Sequence, residues 1–183
     1  MLGDRLTPLA QQAGPDVGVD AADDLADAHH AIDYAGTWIN NADTKAGLLS
    51  AALAVVLAAT SQQSKAIGDV LRPSDGGQWA ALIVLCLLGV AILVAIVALA
   101  LVITPRTPPP QEPSRFGFLT LASHGWKHQP ATRAEVAGEA WGQAQVLSGI
   151  AKRKYAAVRV ASAAVFCSLL LYVAWAVAAS LIN

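Results

Sequence analysis

Apolar residues recur along this chain in two ways. From Leu25 to Val56 they step by threes and fours: Leu25, Ala28, Ile32, Ala35, Ile39, Ala42, Ala46, Leu49, Leu53 and Val56. That spacing marks one face of a helix. It passes without a break from a polar region into an apolar one, which predicts one continuous rod from about Ala21 to Thr60. A second stripe, Val136, Ala140, Ala144, Leu147, Ala151, Tyr155 and Val158, predicts a helix that starts near Ala131 and also runs straight into an apolar region. Elsewhere the apolar residues are continuous. Ala80–Ile103 holds 24 residues without a charge and Val160–Ile182 holds 23, whereas about 18 suffice to cross a bilayer. The first span is the short one: its uncharged part, Ala46–Thr60, has 15 residues and covers about 22 Å. A hydrocarbon core is ~30 Å thick, so this span must borrow residues 41–45 or continue into 61–63.

The breaks between these patterns fix the organisation. Residues 1–18 carry Pro8, Gly14, Pro15 and Gly18 without periodicity and read as a flexible tail. Residues 61–78 read as a short polar connection, with Trp79 opening the second span at interfacial depth. Five prolines in residues 104–114 forbid helix and give a stiff extended spacer. Residues 114–126 are too short and interrupted to span; a re-entrant segment, a surface-lying segment or a short helix under the bundle all fit. No strand pattern and no internal repeat is visible. The expected fold is an all-α integral membrane protein with three transmembrane helices, two of them extended into a cytoplasmic helical base. Its parts are a tail (1–18), a helix continuing into the first span (19–60), the second span (79–103), a proline-rich spacer with a short aromatic segment (104–130), and a helix continuing into the third span (131–182).

Composition agrees: 55% of residues are hydrophobic and 14% charged, against a usual ~25% charged. The acidic residues Asp20, Asp23, Asp24 and Asp27 stand where a signal peptide would carry its apolar core, so none is expected. Net charge is −1, but its distribution is uneven. Residues 104–159 carry eight of the twelve Lys and Arg, clustered at Lys152–Arg159 against the third span. The positive-inside rule then places this segment and the N-terminus in the cytoplasm and the C-terminus outside. Residues 19–43 hold Asp20, Asp23, Asp24, Asp27, Asp33 and Asp43 but no Lys or Arg. Two oppositely charged extensions on the same side can pack on each other or on a neighbouring subunit, and both carry an apolar stripe that needs burial.

The stretch Trp38–Leu49 contains the residues hardest to explain as membrane border alone. Asp43 and Lys45 are two positions apart and do not face each other on a helix. Lys45 can snorkel to headgroups, but an acid gains nothing beside an anionic leaflet. Asp43 is therefore expected to face the bundle and meet a cation of the third helix, from Lys152, Lys154 and Arg159. Asp43, Lys45 and Arg159 are the candidate interhelical switch. Gln143, Ser148, Lys152, Lys154 and Tyr155 form a polar set that fits either a solvated anchor or an anion site. His124 and His128 share i,i+4 spacing, but a metal site needs further ligands and none is expected. Cys86 and Cys167 fall inside spans and read as small packing residues. Gly138 and Gly142 form a small-xxx-small pair. No phosphate-binding loop, nucleophile elbow or zinc-protease motif occurs, so neither an enzyme nor a cofactor is expected. The basic run at Lys152–Lys154 is accounted for by topology and implies no nucleic acid.

Three blocks, in order, resemble the Pycsar transmembrane effector family. They are Trp38 with Ala42-Asp43-x-Lys45-Ala46 and Leu48-Leu49, then Ser114-Arg115-Phe116-Gly117-Phe118, then Gln143, Leu147-Ser148, Ile150 and Lys152–Tyr155. The resemblance covers most of the chain from Trp38 to about Ile182. It implies an antiphage membrane effector, paired with a cyclase that makes cUMP or cCMP, which responds to the nucleotide by impairing the membrane. The chain has no room for a β-rich nucleotide-binding domain, so such a ligand would bind between helices or across a homo-oligomer. Arg115, Lys152 and Lys154 are the candidate phosphate contacts. The rival reading is a non-catalytic accessory membrane subunit, for example in plasmid transfer. A transporter fits less well, since the second and third spans hold no charge.

Overall fold

The computed structural model describes residues 20–104, 114–117 and 131–182. The tail expected over 1–18, most of the proline-rich spacer and aromatic segment, and the His124/His128 pair lie outside the described residues. Four helices account for nearly all of the rest: α1 (Ala21–Ser61), α2 (Ser64–Val70), α3 (Gly76–Ile103) and α4 (Arg133–Ile182). No strand occurs among the described residues.

Each long helix begins where a side chain can accept the first free amides. Asp20 Oδ1 accepts from the Ala22 amide at 3.1 Å, and Asp75 Oδ1 from the Gln78 amide at 2.8 Å. At α4 the cap is reciprocal. The Thr132 amide donates to Glu135 Oε2 at 2.7 Å, and the Glu135 amide donates to Thr132 Oγ1 at 3.3 Å. The hydrogen bond from the Thr132 amide, then the Thr132 side chain, hold the Glu135 carboxyl below its ordinary pKa.

The stripe on α1 is a heptad seam. Ala28, Ala35, Ala42 and Val56 form one buried series seven or fourteen residues apart, and Ala46 and Leu53 belong to the second. On α4 the matching series are Ala137, Ala144, Ala151, Val158 and Val165, and Ala140, Ala161, Ser168 and Trp175, all buried. Sequence spacing pointed to Val136 on this face; the structure buries Ala137 instead, leaving Val136 at the flank. The two helices run parallel, since Trp141 meets Asp24 and Tyr155 meets Trp38. α3 runs antiparallel to α4, with Val160 beside Leu93–Leu101. α4 packs along both other long helices, which touch each other much less.

This register locates the membrane border. Val160 shares a groove with Leu93–Leu101, so Lys154, six residues nearer the base, lies near the end of α3. Asp43 contacts Lys154 and is therefore at the same level. From Ala42 to Ser61 α1 spans 20 residues, or about 30 Å, which matches a hydrocarbon core. The first span thus takes in Asp43 and Lys45 at its edge. All three long helices are long and apolar enough to cross a membrane. Inside the spans, hydroxyls turn back on their own helix: Ser50 donates to the Ala46 carbonyl at 2.9 Å, Thr60 to Val56 at 2.7 Å, Ser162 to Val158 and Ser168 to Ala164 at 2.8 Å.

Two sequence expectations need correcting. Residues 61–78 are not only a connection, because α2 forms inside them and buries Ala66 and Val70 against the bundle. Cys86 and Cys167 are exposed rather than packed against the other helices.

Ala42 is fully buried and Ala26 exposed. Ala42→Leu is expected to destabilise the protein by about 1–3 kcal/mol through overpacking, and Ala26→Leu to stay within about 0.5 kcal/mol, read by chemical unfolding in micelles. Because the Glu135 pKa is depressed in the fold, its stabilisation is present above the ordinary carboxylate range and lost as pH falls through the lowered value. Amide exchange over 133–137, corrected for intrinsic rates, is expected to quicken on acidification, and Glu135→Ala to remove that pH dependence.

Candidate functional site

The second heptad series on α4 runs Ala140, Leu147, Lys154, Ala161. Lys154 therefore stands at a core position of an otherwise apolar seam, and an ammonium there needs a partner. Asp43 supplies it from the position after Ala42 on α1: Lys154 Nζ donates to Asp43 Oδ1. The lysine side chain is 15% exposed and the aspartate 47%. The pair closes the seam at the level where the helices enter the membrane. Lys152, Arg153 and Arg159, on the same helix, are exposed. Of the cations that sequence alone offered to Asp43, Lys154 is the one on the facing side of α4.

An aromatic cluster adjoins the pair. Tyr155 meets Trp38 edge-to-face with ring centroids 5.2 Å apart, and Trp38 meets Tyr34 at 5.8 Å. Lys45 Nζ lies 5.3 Å from the Tyr155 centroid, within cation–π range. Lys45 thus turns to the interhelical ring, where sequence alone pointed it to the headgroups. The Tyr155 hydroxyl is buried and has no hydrogen-bond partner among the described residues. Two ammonium groups, one carboxylate and an uncommitted buried phenol therefore converge at the border. Tyr34 and Trp38 keep 59% and 39% of their surface exposed beside them.

The other candidates lie apart. Arg115 clamps Glu139 through Nε at 3.1 Å and Nη2 at 3.4 Å, and its amide donates to the same carboxylate at 3.1 Å. Phe116 meets His29 edge-on at 5.6 Å. The 114–117 turn thus bridges α4 and α1 deep in the base. Glu139 and Lys154 are fifteen residues apart on one helix, about 22 Å, so Arg115 does not join Lys152 and Lys154 in a single phosphate site. Ser148 and Lys152 do not share the Lys154 face either, and Gln143, which does, lies eleven residues, about 16 Å, away along the helix. Arg159 has no ion-pair partner among the described residues and is not part of the Asp43 contact. Gly138 and Gly142 face open space. No three His, Cys, Asp or Glu are grouped as a metal site requires among the described residues.

Sequence reasoning missed Glu139 as the partner of Arg115, and Trp38 and Tyr34 as neighbours of Tyr155. A heptad count exposes the second group, because Tyr155 immediately follows the odd lysine in the seam. The Trp141 indole, which donates to Asp24 Oδ1 at 2.9 Å, had no comparable signal.

A family model described as a Pycsar effector protein domain matches residues 27–182. The match takes in all of α2, α3 and α4 and all but the first turns of α1. No curated protein and no solved structure matches the chain.

Because the pair is half-shielded, Asp43 and Lys154 are expected to couple by about 1–2 kcal/mol in a double-mutant cycle, above an exposed pair and below a fully buried one. The cycle uses Asp43→Asn and Lys154→Gln with unfolding in micelles as readout. Asp43→Asn combined with Arg159→Gln should give purely additive effects.

Proposed function

Since the chain belongs to the Pycsar effector family, a family of membrane effectors in bacterial antiphage defence, we propose that it responds to a cyclic pyrimidine nucleotide, cUMP or cCMP, by impairing the membrane it spans. The observation that carries this reading is the Lys154–Asp43 ion pair, with Lys45 over the ring of the adjacent Tyr155 and the buried Tyr155 hydroxyl unpartnered among the described residues. An incoming phosphodiester offers the same charge as Asp43 and more acceptor oxygens. It competes for Lys154, gains Lys45, and accepts from Tyr155. The pyrimidine ring stacks on the exposed faces of Tyr34 and Trp38, a contact any base can make. Displaced from Lys154, Asp43 no longer ties α1 to α4 at the border. The helices then repack, and because both run unbroken into the bilayer the change reaches the spans.

In this reading the base lies in the cytoplasm, where a partner cyclase releases the nucleotide, and the C-terminus lies outside, as the basic cluster at Lys152–Arg159 favours. The protein acts as a homo-oligomer, since a single three-helix bundle encloses no aqueous path. It performs no chemistry on the ligand. The family match favours this reading over an accessory role in plasmid transfer.

The test is dye release from proteoliposomes. cUMP or cCMP is expected to trigger release from vesicles holding the wild-type protein, and Lys154→Gln to abolish the response while leaving insertion intact. No release with either nucleotide would sink the proposal.

A further inference from the structure

The basic residues 152–154 face three ways. Lys154 turns into the seam, where Asp43 meets it. Lys152, Tyr155 and Arg159 stand at i, i+3 and i+7, so they share one face of α4. Arg153 is two residues from Tyr155, on the far side of the helix. α1 adds a third cation to the Tyr155 face, because Lys45 Nζ lies 5.3 Å from the centre of that ring. Lys45 is two residues beyond Asp43 on a parallel helix, which sets it at about the depth of Ala156, between Lys152 and Arg159.

Three cations thus gather around one ring where α1 and α4 enter the membrane. All three are exposed, and none pairs with a carboxylate among the described residues. The nearest carboxylates along the two helices, Asp43 and Glu139, are held by Lys154 and Arg115. Like charges gathered in this way repel, and an anion among them relieves the repulsion.

Depth names the anion. Lys152 lies just on the base side of the border, and Arg159 about 7.5 Å beyond Lys154. Helical side chains lean toward the helix N-terminus, which for α4 is the base. The Arg159 guanidinium therefore snorkels back toward the headgroups. Farther along the same face Phe166 follows Arg159 by seven residues and Leu170 by eleven, and both are exposed within the span. Cations at phosphate depth, with exposed phenylalanine and leucine beyond them in the hydrocarbon zone, match one amphiphile: a phosphate ester joined to acyl chains.

We infer that Lys45, Lys152 and Arg159 form a binding site for the headgroup of an anionic phospholipid in the leaflet nearest the base. The phosphate sits among the three cations beside the Tyr155 ring, and an acyl chain runs along Phe166 and Leu170. The site needs no nucleotide and does not rest on the cyclic-nucleotide response.

The test is lipid retention by the purified full chain in native mass spectrometry, with no nucleotide present. Phosphatidylglycerol and phosphatidylcholine with identical acyl chains are offered at equal concentration. The wild-type protein should retain phosphatidylglycerol several-fold better. Arg159→Gln and Lys45→Gln, on different helices, should each reduce that preference, and Lys152→Gln/Arg159→Gln should bring it close to parity. Arg153→Gln removes one charge near the border from the other face and should leave the preference as in the wild type. Equal retention by the wild type, or a preference that survives loss of both α4 cations, overturns the inference. So does a loss in Arg153→Gln as large as in Arg159→Gln, which would make the preference one of net charge. Soluble glycerol phosphate in excess should not displace the lipid; displacement would show a site for free anions and sink the lipid assignment. Every substituted side chain is exposed and the Asp43–Lys154 pair is kept, so the variants retain the fold that the comparison requires.

Discussion

The close approach of α1 and α4 governs the rest of the molecule. Both helices line their seam with alanine at heptad spacing through the base, so their backbones come together with little side-chain volume between them. Small side chains also give little shape to lock one register against the next. A lone lysine in that seam fixes the register instead. Lys154 is tolerated only where Asp43 can reach it, and any slip of one helix along the other would strand a charge among methyl groups. The ion pair is thus a specification of alignment, whatever it contributes to stability.

Polar and apolar parts of the bundle divide the work by depth. Below the border, α1 and α4 exchange specific polar contacts, Trp141 with Asp24 and Lys154 with Asp43, and Arg115 of the 114–117 turn clamps Glu139 of α4. Within the bilayer, the serine and threonine hydroxyls donate to their own helix carbonyls. The spans are therefore held by packing, as expected where lipid tails offer no hydrophobic gain. Specificity sits in the base, and the membrane part follows it through helices that never break.

Much of this was legible in the sequence, for physical reasons that differ by element. The α1 stripe from Leu25 to Val56 was readable because every seam position is apolar, and the second and third spans because uncharged runs of that length have few other uses. Asp43 stood out because topology left it without a role. The choice of Lys154 over Lys152 or Arg159 required the helix phase of α4, which the flanking pair Val136 and Ala137 obscured. α2 was hidden because Gly68 and Asp69 lower helix propensity, and tertiary packing of Ala66 and Val70 overrides it. The outward turn of Cys86 and Cys167 was unreadable in runs that are apolar on every side. The Arg115–Glu139 clamp joins residues 24 positions apart, and no local pattern encodes such a contact.

α4 is the shared partner of two helices that barely touch each other. The consequence is one of timing. During synthesis α1 and α3 enter the membrane as a hairpin, tied by a connection of fourteen residues, but with little surface to bury on one another. Their alanine and leucine faces, and the carboxylate of Asp43, stay unmatched until the last fifty-residue helix leaves the ribosome. Assembly is then a single closing event rather than a gradual accretion, and a chain that stops between α3 and α4 is two loose helices in lipid.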